Sequence, residues 1–246
     1  MNLVLVIDTG QIYADWHIVK ELAAQQFKRR VEFLIGKYKP THTICAFDSQ
    51  PPTFRHGLCD KYKADRDHNE EVHEQLSLAA DLMTASGVTC FGVEYFEADD
   101  IIATIADKSV SAGCRVIIYS RDKDCNQLLR EGKVTILKKY GQDGPEWFST
   151  ATLLEKFNLT PEQFLEYQMI VGDTTDGIVG VEGIGDKGAR EMLSGGMSLR
   201  DILENPWAVK LTPKKRDALI AFSDRYELVR ELVTLRTDVP LDWSPH

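Results

Sequence analysis

Nine aspartate and glutamate residues stand at predicted strand ends or helix starts, from which their carboxylates could reach one cleft. They are Asp8, Asp48, Glu97, Asp99, Asp100, Asp122, Asp124, Asp173 and Asp176. Carboxylates that converge without a counter-charge must bind protons or unfold the chain. Divalent cations remove this conflict, and all-oxygen ligand sets suit Mg²⁺ or Mn²⁺. Two such ions would activate a water and stabilise the leaving oxygen of a phosphodiester.

Each acid also has an ordinary structural explanation. Acids at helix starts interact favourably with the helix dipole, so for any single aspartate an N-capping role or a solvated helix face is the simpler interpretation. Glu97 and Asp100 are three residues apart, as are Asp173 and Asp176, which predicts that each pair shares a helix face. Only the whole set indicates metal chemistry.

The elements that must position these acids alternate between strands and helices over the first 148 residues. Apolar runs predict strands at 3–7, 43–47, 88–93, 114–119 and 134–137. Helices are predicted between them, at about 16–37, 97–111 and 123–130. This order indicates βαβ units and a mostly parallel sheet, which binds ligands beyond the carboxyl ends of its strands. Asp8 and Asp48 directly follow the first two strands.

A different pattern begins at about residue 149, where the predicted strands stop. Thr160 precedes Pro161, and Gln163 follows three residues after the threonine, which is a helix N-terminal signal. Short helical stretches broken by glycines follow. We therefore predict an α/β domain over 1–148 and an α-helical lobe over 149–246.

Composition limits the class of protein. The chain of 246 residues is 43% hydrophobic and 27% charged, which is typical of a folded protein rather than a disordered one. No apolar run reaches the roughly 18 residues that span a bilayer, and the first residues lack a signal-peptide pattern. We therefore expect a cytoplasmic protein without a membrane partner. The five cysteines form no CxxC pair, which argues against a disulfide framework or a zinc site.

The net charge of −9 is unevenly distributed. Residues 20–66 contain ten Lys/Arg and five Asp/Glu, whereas residues 67–131 contain five Lys/Arg and thirteen Asp/Glu. This pattern is compatible with a salt-bridged surface, and equally with a phosphate-binding face beside a metal-loaded group of carboxylates. The motifs must distinguish them.

Short motifs around the acids resemble those of the 5′-nuclease (flap endonuclease) family. They are Phe47-Asp48, Thr53-Phe54-Arg55, Tyr62-Lys63-Ala64-Asp65-Arg66, Glu97-Ala98-Asp99-Asp100, Ser120-Arg121-Asp122-Lys123-Asp124, Gly172-Asp173-Thr174-Thr175-Asp176 and Gly183-Ile184-Gly185-Asp186-Lys187. The likeness covers about residues 3–240, in the family's order. Within the family it is greatest to the 5′-nuclease domains of bacterial DNA polymerase I and stand-alone bacterial relatives.

The resemblance implies a PIN-like α/β fold: a mostly parallel sheet flanked by helices, a helical arch at about 62–86, and a C-terminal α-helical lobe with a helix–hairpin–helix. It implies a structure-specific DNA 5′-nuclease, acting as a 5′-flap endonuclease or 5′-3′ exonuclease in DNA replication and repair. The implied partner is branched or 5′-ended DNA, such as flaps and single-strand/double-strand junctions. We also expect a monomer.

The resemblance further assigns the acids to two sites for Mg²⁺ or Mn²⁺. Those serving the first ion and its waters would be Asp8, Asp48, Glu97, Asp99 and Asp100. Those serving the second, with some sharing, would be Asp122, Asp124, Asp173 and Asp176. Lys63 and Arg66 would contact the scissile phosphate and act with Asp8 as catalytic residues, since phosphoryl transfer needs cations beyond the metals.

Other residues are implied to hold the DNA. Arg55 would contact the same phosphate region or brace the cleft, and Tyr62 would stack on a base or pack in the arch. In the helix–hairpin–helix, the residues that grip duplex phosphates would be Gly183, Gly185 and Lys187. A K⁺ ion would bind the loop carbonyls of Val181, Gly183 and Ile184.

The chain also departs from the family's motifs. Thr9 stands where the family has glycine, and Asp15 stands about where an arginine is expected. Gly177 and Val179 replace the usual Asn and Pro after Asp176, and Gly188 replaces a Thr. These last changes predict a looser loop near the second ion.

Two other functions remain open, a PIN-like ribonuclease and a non-catalytic module that binds branched DNA. The helix–hairpin–helix favours duplex DNA over RNA as the ligand. The complete set of acids favours an enzyme over an inert module.

Overall fold

The computed structural model describes residues 2–64 and 69–245, and for residues 13–15 and 21 it describes the backbone alone. The chain forms two compact units. The first comprises Met1–Thr53, Asp67–Ser149 and Leu235–His246, and the second comprises Phe54–Arg66 and Thr150–Thr234. The predicted domain limits, 1–148 and 149–246, stay a prediction. Within the described ranges, every helix is too short or too polar to cross a bilayer.

A six-stranded sheet forms the centre of the first unit, with the strand order β3-β2-β1-β4-β5-β6. Its strands are β1 (Leu3–Asp8), β2 (His42–Phe47), β3 (Thr89–Gly92), β4 (Arg115–Tyr119), β5 (Val134–Gly141) and β6 (Gly144–Phe148). The pairs from β3 to β5 are parallel, and β6 runs antiparallel to β5. Residues 4–7 of the central strand β1 are fully buried, as expected of an apolar strand covered on both faces. The predicted fold class is confirmed.

Helices cover this sheet and build the second unit. In chain order they are α1 (Gln11–Val19), α2 (Ala23–Tyr38), α3 (Phe54–Leu58), α4 (Glu70–Ala85), α5 (Ala98–Ser111), α6 (Thr150–Phe157), α7 (Pro161–Val171), α8 (Asp186–Leu193), α9 (Leu199–Glu204), α10 (Pro213–Phe222) and α11 (Tyr226–Val233). The single helix predicted at 16–37 is two helices, because Lys20 adopts a positive φ of 45°. The helix predicted at 123–130 is a short 3₁₀ helix, Asp124–Leu128.

The region predicted as an arch is described only in part. Residues 65–68 lie outside the described residues. Helix α4 buries Val72, Ala79 and Met83, and the last two belong to the core that α2 and the sheet also form. The Gln75 side chain accepts a hydrogen bond from the Ala24 backbone N–H at the start of α2. Residues 70–85 therefore supply core contacts, and the arch stays a prediction.

The last segment of the chain returns to the first unit. The Arg236 N–H donates to Asp100 Oδ1 at 2.9 Å, and Thr104 Oγ1 donates to the Arg236 carbonyl at 3.2 Å. Lys108 Nζ donates to the carbonyl of Leu241 at 2.8 Å. These bonds attach residues 235–241 along helix α5.

The described residues of the second unit form helices and one small hairpin. Its core includes Leu159, Ile170 and Phe222, together with Tyr62 from the segment that precedes α4. The prediction that strands stop at residue 149 is wrong in detail, because β7 (Gly172–Asp173) pairs antiparallel with β8 (Ile178–Val179). The helix start predicted at Thr160 and Pro161 is confirmed, and Thr160 and Gln163 form a capping box there.

Candidate metal centre and nucleic-acid interface

Asp8 ends β1 and is held in one orientation by two hydrogen bonds. Its Oδ2 accepts from Ser120 Oγ at 2.6 Å, and its Oδ1 accepts from the Gly10 backbone N–H at 2.7 Å. Gly10 leaves space for this contact, because a Cβ at that position would lie 2.8 Å from Asp8 Oδ1. The carboxylate is only 7% exposed.

Ser120 connects Asp8 to the acids that follow β4. Its buried hydroxyl donates to Asp8 and accepts from the Asp122 backbone N–H at 2.9 Å. The Asp122 side chain in turn accepts from the Asp124 N–H at 2.8 Å. Since β1 and β4 are paired parallel strands, these three acids lie at the same edge of the sheet.

Two further acids reach this edge from the next strand and from α5. Asp48 follows β2, and its Oδ1 accepts from the Ala98 N–H at the start of α5 at 2.8 Å. Asp99 lies in the first turn of that helix. Its pKa responds to the charges of the acids after β1, β2 and β4, so the five form one group. We name Asp8, Asp48, Asp99, Asp122 and Asp124 the carboxylate cluster.

Glu97 and Asp100 have a structural task beside the cluster. Glu97 is the N-cap of α5, and Asp100 completes a capping box with it. Asp100 is fully buried, and its two oxygens accept from the N–H groups of Glu97, at 3.2 Å, and of Arg236, at 2.9 Å. The pair was expected to share a helix face. Glu97 instead precedes the helix as its N-cap, and the two side chains cap each other's backbone.

Burial and mutual repulsion raise the pKa values of two acids of the cluster. Burial raises the pKa of Asp8 to about 6, and the charges of Asp48 and Asp122 add to this, while the bonds from Ser120 and Gly10 oppose it. The pKa of Asp99 lies well above its usual value, first through burial and then through its aspartate neighbours. The cluster therefore carries more negative charge than its surroundings neutralise.

A hard divalent cation fits this donor set, because every donor is a carboxylate oxygen and the charge calls for a cation. Among the described residues, no three His, Cys, Asp or Glu side chains are placed to hold one ion directly.

A lysine beside the cluster escaped the sequence analysis. Lys138 Nζ donates to the Asp122 backbone carbonyl at 2.6 Å. The pKa of this ammonium lies below its usual 10.5, because burial lowers it. Nearby acidic groups, among them Asp122 and Asp124, offset only part of that effect. The available signal was its position: Lys138 directly follows the strand predicted at 134–137, as acids follow the other strands.

Asp173 ends β7, and Asp176 lies in the turn between β7 and β8, both within the second unit. Asp173 Oδ1 accepts from the N–H groups of Thr175 and Asp176, at 2.9 and 3.2 Å. The prediction that this pair shares a helix face is wrong, because helix α7 ends at Val171 and the aspartate caps a turn.

Lys63 contacts this turn within the second unit. Its N–H donates to the Asp176 carbonyl at 3.0 Å, and its Nζ lies 3.9 Å from Asp176 Oδ2. The lysine side chain is 15% exposed and lies 5.0 Å from the Tyr62 ring centroid. The other predicted phosphate-contacting residue, Arg66, lies outside the described residues.

Arg55 and Tyr62 are buried in the second unit. The Arg55 side chain is 2% exposed, and it donates to the carbonyls of Leu232 and Thr234, at 2.8 and 3.1 Å, at the end of α11. The Tyr62 ring is 3% exposed and contacts His56 edge to face. Of the alternatives drawn from the sequence, these positions favour bracing for Arg55 and packing for Tyr62.

The Gly183-Ile184-Gly185 segment lies between β8 and α8. Gly185 is the N-cap of α8, and both glycines are exposed, whereas the Ile184 side chain is buried in the unit's core. The Ile184 N–H donates to the Val181 carbonyl at 3.1 Å, closing a tight turn. Lys187 extends from the first turn of α8 with a side chain that is 87% exposed.

The departures from the family's motifs have local explanations. Thr9 Oγ1 donates to the Ala46 carbonyl at 2.7 Å and so ties the end of β1 to β2. The sequence predicted that Gly177 loosens its loop, and the structure shows a close contact instead. This glycine has a φ of 71°, and a Cβ there would lie 2.2 Å from the Lys61 carbonyl oxygen, so glycine permits a close contact. Val179 is exposed and pairs with Gly172, and Gly188 lies in α8. The Asp15 side chain is outside the description.

Comparison with known proteins connects both units to one family. The model of the 5′-3′ exonuclease N-terminal resolvase-like domain matches residues 18–158, and that of the 5′-3′ exonuclease C-terminal SAM fold matches residues 159–246. DNA polymerase I of Bacillus subtilis is 35% identical over 207 residues. That match covers 84% of this chain, and the chain spans 23% of the length of the polymerase.

Solved structures agree with this relationship. The 5′-exonuclease of bacteriophage T5 with divalent metal ions (zinc) bound is 25% identical, with a TM-score of 0.81 over 96% of this chain and 90% of that one. A T5 flap endonuclease in a pseudo-enzyme–product complex with DNA and metal ions matches with the same identity, TM-score and coverage. The chain belongs to the 5′-3′ exonuclease family, which includes flap endonucleases, and the predicted family is confirmed.

Proposed function

We propose that this chain is a structure-specific DNA 5′-nuclease that cleaves flaps and single-strand/double-strand junctions with Mg²⁺ or Mn²⁺. The observation that carries the proposal is the group formed by Asp8, Asp48 and Asp122 after β1, β2 and β4, in a chain of the 5′-3′ exonuclease family. Burial raises the pKa values of two acids of this cluster, Asp8 and Asp99, which is costly to the fold unless a divalent cation binds there.

The nine acids divide into two proposed ligand sets. The first ion would be served by Asp8, Asp48, Glu97, Asp99 and Asp100. The second would be served by Asp122, Asp124, Asp173 and Asp176. When bound, two such ions supply an activated water and a stabilised leaving oxygen.

The chain's own contribution is to orient these ligands in advance. Ser120 holds Asp8 and Asp122 in a fixed relation through its single hydroxyl. The cap formed by Glu97 and Asp100 fixes the first turn of α5, and with it Asp99. Such pre-organisation lowers the reorganisation required when the reaction begins.

Lys63 and Arg66 are proposed to contact the scissile phosphate. Support for Lys63 comes from its ammonium, which lies beside the predicted ligand Asp176 while part of the side chain stays exposed. Arg55 and Tyr62, both buried, are proposed to hold this segment in place rather than to touch DNA.

The helix–hairpin–helix is proposed to grip duplex phosphates without reading sequence. Lys187 supplies an exposed cation, and the exposed Gly183 and Gly185 let a phosphate approach the backbone. A K⁺ ion would bind the carbonyls of Val181, Gly183 and Ile184. We propose further that the protein acts as a monomer in the cytoplasm, in DNA replication and repair.

Cleavage of a 5′-labelled flap in Mg²⁺, Mn²⁺ or excess EDTA tests the proposal. We expect cleavage with either ion, products with a 5′-phosphate and a 3′-hydroxyl, and none in EDTA. Asp122→Asn should reduce cleavage by orders of magnitude while DNA binding persists, because a metal ligand is lost and repulsion of the phosphates is relieved.

Asp107→Asn is the matched control, since Asp107 lies on α5 and pairs with Arg130 at the surface. It should leave cleavage unchanged. Cleavage that survives excess EDTA would contradict the proposal. Preference for RNA would identify a ribonuclease, and binding without cleavage would identify an inert module.

A further inference from the structure

Lys138 occupies an irregular position in β5. The strand pairs in parallel with β4 through Leu137, and its antiparallel register with β6 shifts between Leu137 and Lys139. Lys138 is the residue at that shift. A β-bulge adds an unpaired residue to one strand and changes the direction of its side chain. The irregularity therefore explains how a strand lysine points its ammonium toward the end of β4.

Two adjacent lysines consequently have different surroundings. Lys138 Nζ donates to the Asp122 carbonyl at 2.6 Å and lies 5.4 Å from the Phe148 ring centroid. Lys139 is exposed and pairs with Glu146 on β6 at 3.2 Å. The first lysine faces the carboxylate cluster, whereas the second belongs to the surface of the hairpin.

A fixed positive charge beside a carboxylate cluster has two opposite effects. It stabilises the ionised aspartates while no metal is bound, because it offsets their mutual repulsion. It also repels a divalent cation that enters the same cluster. The first effect helps the metal-free chain to fold, and the second weakens metal binding.

We propose that Lys138 is a positioning residue that acts as the built-in counter-charge of the carboxylate cluster and sets its affinity for divalent cations. The proposal rests on the proposed metal-dependent function. Lys138 lets the metal-free protein hold its aspartates together, and it keeps the cluster from binding divalent cations at very low concentration. It acts through the aspartates and needs no contact with DNA.

Mn²⁺ binding to the full chain without DNA, followed by the electron paramagnetic resonance signal of free Mn²⁺, tests this. Lys138→Met should bind Mn²⁺ more tightly than wild type, by on the order of tenfold, because a repelling charge is removed. In EDTA the same variant should unfold at lower urea concentration. These opposite changes separate an electrostatic role from a merely structural one, which would lower both.

Three further variants complete the test. Lys138→Arg keeps the charge and should resemble wild type in both measurements. Lys138→Gln removes the charge but keeps a donor for the Asp122 carbonyl, and it should also bind Mn²⁺ more tightly. This variant replaces the methionine variant if the latter folds poorly. Lys139→Met removes the neighbouring exposed lysine and should change neither measurement.

Equal or weaker Mn²⁺ binding by the methionine and glutamine variants, with wild type binding normally, would overturn this inference alone. Lys138 would then serve to orient Asp122 through its carbonyl. Wild type that binds no Mn²⁺ would overturn the proposed metal-dependent function, and this inference with it.

Discussion

The Cα of Gly177 lies so close to the Lys61 carbonyl that a Cβ at this glycine would be 2.2 Å from the oxygen. This contact sets the turn that carries Asp173 and Asp176 against the segment that carries Lys63. The Lys63 N–H then reaches the Asp176 carbonyl at 3.0 Å. A glycine that departs from the family's motif thus determines how two predicted functional residues meet.

Gly177→Ala should therefore disturb function more than its positive φ alone explains. The added Cβ must displace the Lys61 carbonyl, so we expect slower flap cleavage and a loss of about 3 kcal/mol in unfolding free energy. Gly196→Ala is the matched control, because Gly196 has a φ of 78° and, apart from its chain neighbours, no described residue lies within 4 Å of its Cβ position. It should lose only about 1 kcal/mol and keep activity. Equal losses in both variants, by urea unfolding, would show that the contact is unimportant.

The metal-free protein should lose stability as the pH rises. The pKa of Asp8 is about 6 in the folded state against 3.8 ordinarily, so the folded chain binds more protons between these values. Unfolding free energy in EDTA should then fall by on the order of 3 kcal/mol between about pH 4 and about pH 6. Asp8→Asn should lose this contribution and keep the one from Asp99, whose pKa is also raised. Parallel pH profiles for the two proteins in urea unfolding would mean that Asp8 titrates normally.

Lys63→Ala should slow the chemical step more than it weakens DNA binding. If its ammonium stabilises transition-state charge, single-turnover cleavage at saturating enzyme should fall at least about tenfold while affinity changes by less than about threefold. The neighbouring Lys61, whose side chain is exposed, gives the control variant Lys61→Ala. An unchanged rate with weaker affinity would assign Lys63 to uniform substrate binding.

Arg55→Met should destabilise the protein without altering its salt dependence. Two carbonyls at the end of α11 lose their donor, which should lower the unfolding free energy by about 3 kcal/mol. The control variant is Arg200→Met, which removes an exposed arginine that pairs with Glu227 of α11. It should lower the unfolding free energy by less than about 1 kcal/mol. If Arg55→Met has a normal urea midpoint and binds DNA more weakly, the role of Arg55 is to contact phosphate rather than to brace the fold.

Lys187→Ala should weaken duplex binding and leave single-turnover cleavage of bound substrate near normal. The slope of log affinity against log KCl should become shallower by about one phosphate contact. Fluorescence anisotropy in Ca²⁺, with a gel confirming intact DNA, measures this. Lys139→Ala, another exposed lysine, should keep the wild-type slope. An identical slope for Lys187→Ala would place its side chain in solvent, away from DNA.

The acids after β1, β2 and β4 could be predicted because they are local patterns. A run of apolar β-branched residues predicts a strand, and parallel strands bring their carboxyl ends to one edge. Asp8, Asp48 and Asp122 follow from these two rules. The electrostatic repulsion within the group also follows, since carboxylates that meet at one edge raise one another's pKa values.

The remaining features depend on contacts between distant parts of the chain. Arg55 looks like an exposed cation until α11, more than 170 residues later, supplies its acceptors. Lys138 faces the cluster only because the pairing of β5 with β6 shifts register. The spacing of Asp173 and Asp176 suits a helix and a turn alike, and the flanking glycines with positive φ decide for the turn.

Residues 235–241 give the chain an unusual order of assembly. They complete the first unit by bonding to Asp100, Thr104 and Lys108 on α5. A fragment cut after residue 158, where the two family models divide, would lack the donor to Asp100 Oδ1 and the acceptor of Lys108. During synthesis on a ribosome, the contacts of α5 are therefore completed only after residues 235–241 have been made. The cap that orients Asp99 reaches its final form only after the second unit has been made.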